Sequence, residues 1–140
     1  MCKVMIGCPV RNRAWILPAY LDCLKKLVWP DRLIEYCFII NDCIDQTADI
    51  LEQFAKGQTA PVRLVSADSQ KKFAYARGEY SFSHLADLRN MLLREFLHSE
   101  CEFLFSLDSD ILAPPHSLTQ LIAGGYAIIS CLVCNGLYNG

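Results

Sequence analysis

Along this chain, short continuously apolar runs alternate with stretches in which apolar residues recur every three or four positions. The first kind reads as strand buried on both faces, the second as amphipathic helix. Val4 to Pro9 is the first apolar run. Leu17, Tyr20, Leu21, Leu24, Leu27 and Val28 then share one helical face, with Pro18 in the first turn, where a missing N–H costs nothing. Trp29-Pro30-Asp31 stops that helix. Tyr36 to Ile40 predicts a second strand. Thr47 is placed to cap a helix that buries Ile50, Leu51 and Phe54 and stops at Gly57. Val62 to Val65 predicts a third strand. Residues 66–82 lack any such period, and so long an irregular stretch in a small domain points to a functional loop. A helix from Ser83 places Leu85, Leu88, Leu92 and Phe96 on one face. Cys101 to Leu107 predicts a fourth strand. Pro114-Pro115 opens a short helix over Leu118, Leu121 and Ile122 that Gly124-Gly125 closes, and Tyr126 to Val133 predicts a fifth strand.

Strand and helix in alternation imply parallel strands joined by right-handed helical crossovers. The expected fold is therefore α/β: an open, mostly parallel, doubly wound sheet with helices on both faces, as one domain over residues 1–140. A chain of 140 residues, 53% of them hydrophobic, has room for one substantial core. A net charge of -2 with no basic cluster argues against sequence-independent binding of nucleic acid. No apolar stretch reaches the roughly 20 residues needed to span a bilayer. The N-terminus runs into the first strand without the regions of a signal peptide, so a cytoplasmic location is expected. In that compartment the eight cysteines are expected as reduced, mostly buried thiols. Cys131 and Cys134 form the only CxxC, with no second pair at zinc spacing.

Charge is distributed unevenly. From Ile111 to Gly140 there is no Asp, Glu, Lys or Arg, although charged residues are 20% of the chain. Such a segment rarely covers a soluble surface. The expectation is a chain cut short relative to its natural fold, with self-association into a homo-oligomer through the exposed sheet edge at residues 126–140.

Polar residues gather where the predicted strands end. The first strand empties into Pro9-Val10-Arg11-Asn12-Arg13, the second into Asn41-Asp42-Cys43-Ile44-Asp45, and the fourth into Asp108-Ser109-Asp110. In open α/β sheets, ligands settle at such carboxyl ends. Two carboxylates two residues apart after a buried strand suit a hard cation, Mg2+ or Mn2+, which would bridge diphosphate oxygens. Asp and Ser also serve as caps and turn formers, so the cluster draws its meaning from its place after Phe103-Leu104-Phe105-Ser106-Leu107. Arg11, Asn12 and Arg13 offer donors to a phosphate or a base, and Asp42 offers an acceptor to a ribose hydroxyl or a pyrimidine N–H. Arg89 borders the core face of its helix.

The order Pro-Val-Arg-Asn-Arg, Ile-Ile-Asn-Asp-Cys-Ile-Asp-Gln-Thr, Ala86-x-x-Arg89-Asn90 and Leu-Asp-Ser-Asp resembles the N-terminal, nucleotide-sugar-binding half of family 2 GT-A glycosyltransferases. The resemblance spans Val4 to about Asn135. It implies that Pro9, Val10, Arg11 and Asn12 line the base, with Asp42 beside it and Asp45 as the acid of the second loop. By the same resemblance Arg89 approaches the nucleotide, and Asp108 and Ser109 face the sugar nucleotide. Asp108 stands in the metal shell and Asp110 ligates the Mn2+ or Mg2+. The implied ligand is a nucleotide diphosphate-sugar, a UDP-sugar first. The chain departs from the family in having Asn41-Asp42 where many relatives show two acids. It also has no acid after Asp110 to act as the general base an inverting transferase needs. Two other functions fit the same residues: a nucleotide-binding module without catalysis, and a nucleotidyltransferase, which would want a glycine-rich phosphate loop that Pro9 to Arg13 lacks.

Overall fold

The computed structural model describes residues 1–67 and 82–131. The first strand, β1, is Val4–Val10, and helix α1 follows at Leu17–Lys25. Strand β2 is Ile34–Asn41, helix α2 Thr47–Lys56 and strand β3 Val62–Ala67. Helix α3 is Phe82–Leu97, strand β4 Phe103–Ser106 and helix α4 Ser117–Ala123. The strands lie in the order β3-β2-β1-β4 and every pairing is parallel.

That order makes the fold doubly wound. The chain steps outward from β1 to β2 and β3, then returns to place β4 on the other side of β1. Right-handed crossovers put helices on opposite faces when the direction of stepping reverses. Accordingly α1 and α2 cover one face, where Leu17, Tyr20, Leu24, Leu51 and Phe54 pack on Val4, Ile6, Cys8, Tyr36 and Phe38. Helix α3 covers the other, with Leu88 and Leu92 against Met5, Cys37 and Ile39. Burial on both faces explains why the strands read as unbroken apolar runs, each large side chain so covered contributing about 1.5–3 kcal/mol.

Pro9 stands in a central strand, where a missing N–H would normally break the ladder. Strand β4 pairs with β1 only from Val4 to Gly7. The Gly7 carbonyl accepts the Leu107 N–H at 3.3 Å, and Pro9, two residues on, faces the same side just past the end of β4. Its absent donor therefore orphans nothing in β4.

Several sequence expectations are corrected. Residues 126–131 form no strand, and residues 132 and 133 of the expected fifth strand lie outside the described residues. Tyr126 and Ile128 are exposed instead, because no strand among the described residues pairs with the outer edge of β4. An apolar groove of about 490 Å³ runs beside that edge, lined by Phe103, Phe105, Leu121, Tyr126 and Ile129 among others. Of the region expected to self-associate, residues 132–140 are likewise outside the described part, as are residues 68–81 of the expected functional loop. Helix α1 stops at Lys25, leaving Leu27 buried and Val28 exposed in the turn beyond it. The Val28 N–H donates to the Pro115 carbonyl at 2.8 Å and the Thr119 hydroxyl donates back to the Val28 carbonyl at 2.8 Å, which docks the α4 region on the end of α1.

All seven described cysteines are free thiols. Burial pushes the Cys8 and Cys37 thiols up to about 12, so both behave as small hydrophobes. At the sheet end away from the candidate site, Glu35 is buried yet held by Lys3 at 2.6 Å and Arg63 at 3.4 Å. Among the described residues no helix is long and apolar enough to cross a membrane.

Candidate functional site

The stepping direction reverses between β1 and β4, and the crevice beyond their carboxyl ends is where such sheets bind ligands. Two expected clusters flank that crevice: residues 9–13 at the end of β1 and residues 108–110 after β4. The loop after β2 stands next to the first.

The β1 and β2 loops are braced to each other. Both begin with a residue in the left-handed region, Asn12 at φ 49° and Asp42 at φ 43°. Asn and Asp tolerate that conformation better than other side chains, so each strand can turn sharply into its loop. The Asn12 Oδ1 accepts the Ile44 N–H at 2.9 Å. In the other direction, the Arg13 N–H donates to the Thr47 Oγ1 at 2.8 Å and the Ala14 N–H to Asp45 Oδ2 at 3.1 Å. Asp45 Oδ1 also accepts the Thr47 N–H at 3.0 Å. The first free donor of α2 is thus capped by Asp45, not by Thr47 as the sequence suggested, because the Thr47 hydroxyl is buried and committed to Arg13. Slight burial works against ionisation of Asp45, but hydrogen bonds from Thr47 and the Ala14 N–H outweigh it and hold its carboxyl below the ordinary value.

Thr47→Val keeps the shape and removes the hydroxyl, leaving the Arg13 N–H without its partner. A loss of about 1–3 kcal/mol in stability is expected, with nucleotide affinity weakened several-fold, because the β1 loop loses its anchor. Thr47→Ser should restore both. Thermal melting and calorimetric titration of the two variants check this. Equal behaviour of Val and Ser would show that the hydroxyl has no positioning role.

The third cluster rests on Tyr20. This residue is fully buried, and its hydroxyl donates to the Leu107 carbonyl at 2.8 Å. Burial raises its pKa well above the ordinary value, so it stays a protonated donor. The chain leaving β4 is thereby tied to α1 immediately before Asp108. Asp108 receives Arg89 from α3, one guanidinium nitrogen lying 2.9 Å and 3.2 Å from its two oxygens. Asp110 receives Arg13 from the β1 loop at 3.4 Å. Neither aspartate is buried: their side chains are 46% and 47% exposed.

The structure therefore brings Asn12, Asp45, Arg89, Asp108 and Asp110 to one edge, with Pro9, Arg11 and Asp42 partly exposed beside them. Val10 and Ser109, expected beside them, are buried in the chain without ligand. Sequence reasoning missed the parts played by Thr47, Tyr20 and His84, whose Nε2 lies 3.3 Å from Asn41 Oδ1 at the end of β2. A threonine in a first helical turn or a tyrosine on an apolar helical face gives no local sign of a partner 34 or 87 residues away. His116, expected at a helix start, does stand at the N-terminus of α4.

An open parallel sheet in the order β3-β2-β1-β4 with helices on both faces has the fold of the GT-A class. In agreement, a mannosyltransferase of Pyrobaculum calidifontis solved with GDP-Man and Mn2+ superposes with a TM-score of 0.68 at 20% identity, covering 86% of this chain and 31% of that one. TarS of S. aureus in complex with UDP-GlcNAc gives 0.61 at 21% identity, covering 86% and 30%. Residues 2–140 match the Anp1 family, and the chain belongs to it. Human procollagen galactosyltransferase 2 is 25% identical over 97% of this chain and 23% of its own length. The anp1 subunit of the Schizosaccharomyces pombe mannan polymerase II complex is 37% identical over 36% of this chain and 12% of its own. The chain thus spans less than a quarter of the length of these curated relatives.

Proposed function

We propose that residues 1–140 form the donor domain of a glycosyltransferase, binding a nucleotide diphosphate-sugar with a divalent metal for transfer to an acceptor. The observation that supports this best is the meeting of the β1 loop, α3 and the Asp108-Ser109-Asp110 turn at the switch point through Arg13–Asp110 and Arg89–Asp108 contacts.

The donor set fits a metal of a particular kind. Among the described residues no three His, Cys, Asp or Glu side chains converge, so those residues offer no complete cage. Mg2+ and Mn2+ commonly take one or two carboxylates and complete their shell with water and substrate phosphates. Asp110, with Asp108 beside it, supplies that set. Charge argues the same way: among the described residues Asp108 and Asp110 are already paired with Arg89 and Arg13, and a dication would add the positive charge that a diphosphate needs. When bound, the metal would stabilise negative charge on the departing nucleoside diphosphate. Pro9, Arg11, Asn12 and Asp42 border the nucleoside, their loop held in shape by the Asn12, Asp45 and Thr47 braces. Arg89 holds Asp108 in place and presents positive charge to the phosphates.

Calorimetric titration with UDP, GDP and CDP, each with and without Mn2+, tests the proposal. One nucleotide should bind at least about tenfold more tightly with metal, a difference of about 1.4 kcal/mol. The relatives solved with ligands hold GDP-Man in one case and UDP-GlcNAc in the other, so UDP and GDP are the discriminating pair. Failure of every nucleotide to bind under both conditions would remove the donor-site reading.

A further inference from the structure

The two arginine contacts differ in kind. Arg89 and Asp108 are joined at 2.9 Å, within the range of a strong charge-assisted hydrogen bond. Arg13 and Asp110 are 3.4 Å apart, and the second guanidinium nitrogen of Arg13 reaches only the Arg11 carbonyl at 3.5 Å. Long, half-exposed pairs of this sort contribute little and exchange readily. The Arg13 backbone, by contrast, is fixed at 2.8 Å to the buried Thr47 hydroxyl. A rigidly anchored Cα with a loosely held guanidinium beside the metal-seeking carboxylate can change partners without moving its loop.

We propose that Arg13 is an exchangeable counter-ion. Without ligand it neutralises Asp110, and when Asp110 takes up the cation, Arg13 passes to the diphosphate of the donor. The inference rests on the donor-site reading above and adds a residue to it. Charge bookkeeping makes the exchange favourable: a dication beside Asp110 repels the guanidinium, and the incoming phosphates attract it, offering the bidentate geometry arginine prefers. Arg89, held twice by Asp108, stays where it is.

This role predicts effects of opposite sign from one substitution. Arg13→Gln keeps the backbone N–H that Thr47 accepts and removes the charge. Mn2+ alone, followed by electron paramagnetic resonance of the free ion, should bind about three- to tenfold more tightly to Arg13→Gln, because its competitor for Asp110 is gone. The nucleotide selected by titration, at saturating Mn2+, should bind about tenfold more weakly. Arg13→Lys should fall between, since a point charge can pair but not fork. A decrease in both affinities would make Arg13 a mere scaffold of the loop, and unchanged affinities would leave it solvated; either result overturns the exchange. If the unsubstituted chain binds neither Mn2+ nor any nucleotide, the donor-site reading itself falls and takes this inference with it. Circular dichroism of the variants confirms that the fold is retained.

Discussion

Asp110→Asn is expected to abolish metal-dependent nucleotide binding while leaving the fold intact. The side chain is 47% exposed and its charged partner among the described residues, Arg13, is 3.4 Å away, so the fold gains little from it. Exposed pairs contribute about 0.2–1 kcal/mol, and the melting temperature should barely move. Binding should respond differently. With Asp108 and Asp110 as the proposed carboxylate donors, exchanging one for a neutral amide removes half of that anionic set. Losing groups that only support a metal ligand already costs about 10- to 100-fold in affinity, so loss of the ligand itself should cost at least about 100-fold. Titration of the variant with Mn2+ and nucleotide, alongside thermal melting, separates the two effects. Undiminished binding would detach the metal from Asp110.

Gly7→Ala is expected to produce the largest loss of stability of any methyl-sized change in the sheet. A Cβ at Gly7 would collide with the Cys37 carbonyl oxygen and lie 3.1 Å from Leu92 Cδ1. The first contact is with backbone of the paired strand, which cannot rotate away, and the second is with the core side chain that seats α3. Overpacking a core commonly costs about 1–3 kcal/mol, and a backbone clash inside a central ladder should reach at least the top of that range. The consequence should extend to the proposed donor site, because β1 carries the loop proposed to border the base and α3 carries Arg89. Gly57→Ala is the control. It ends α2 at φ -93°, and its nearest contact would be an ordinary 3.6 Å. Urea denaturation should show a shifted midpoint for Gly7→Ala and almost none for Gly57→Ala. Equal midpoints would mean that β1 can shift to admit the methyl.

The location of both residues shows how far the sequence could be read. The apolar run from Val4 and the one-face spacing of Leu17, Tyr20, Leu21 and Leu24 announced their elements, because a strand or helix between two apolar layers must display its period. The Asp108-Ser109-Asp110 turn was legible for a related reason: a carboxylate enters a buried strand only where cations meet it, as Lys3 and Arg63 meet Glu35, so two carboxylates close together mark where a strand ends. The strand expected over Tyr126 to Val133 failed over its described part on this logic. Apolar content supplies a strand with side chains to bury but not with a neighbour for its backbone, and only the assembled sheet reveals whether a partner edge is within reach.

Within the site, the local chemistry of the residues was open to reading and their pairing was not. Residue type and position at strand ends pointed to Asn12, Asp42, Asp45, Asp108 and Asp110 without knowledge of any contact. Only the folded chain could show that Asp45 braces the β1 loop, bury Val10 and Ser109, and divide the two arginines between the two aspartates. Those assignments depend on the strand order β3-β2-β1-β4, which brings Arg13 within 3.4 Å of a carboxylate 97 residues away. Periodicity and turn chemistry act over a few residues and are written in the sequence directly. Distances across a sheet follow from which edges pair, and that is decided by the packing of the whole domain.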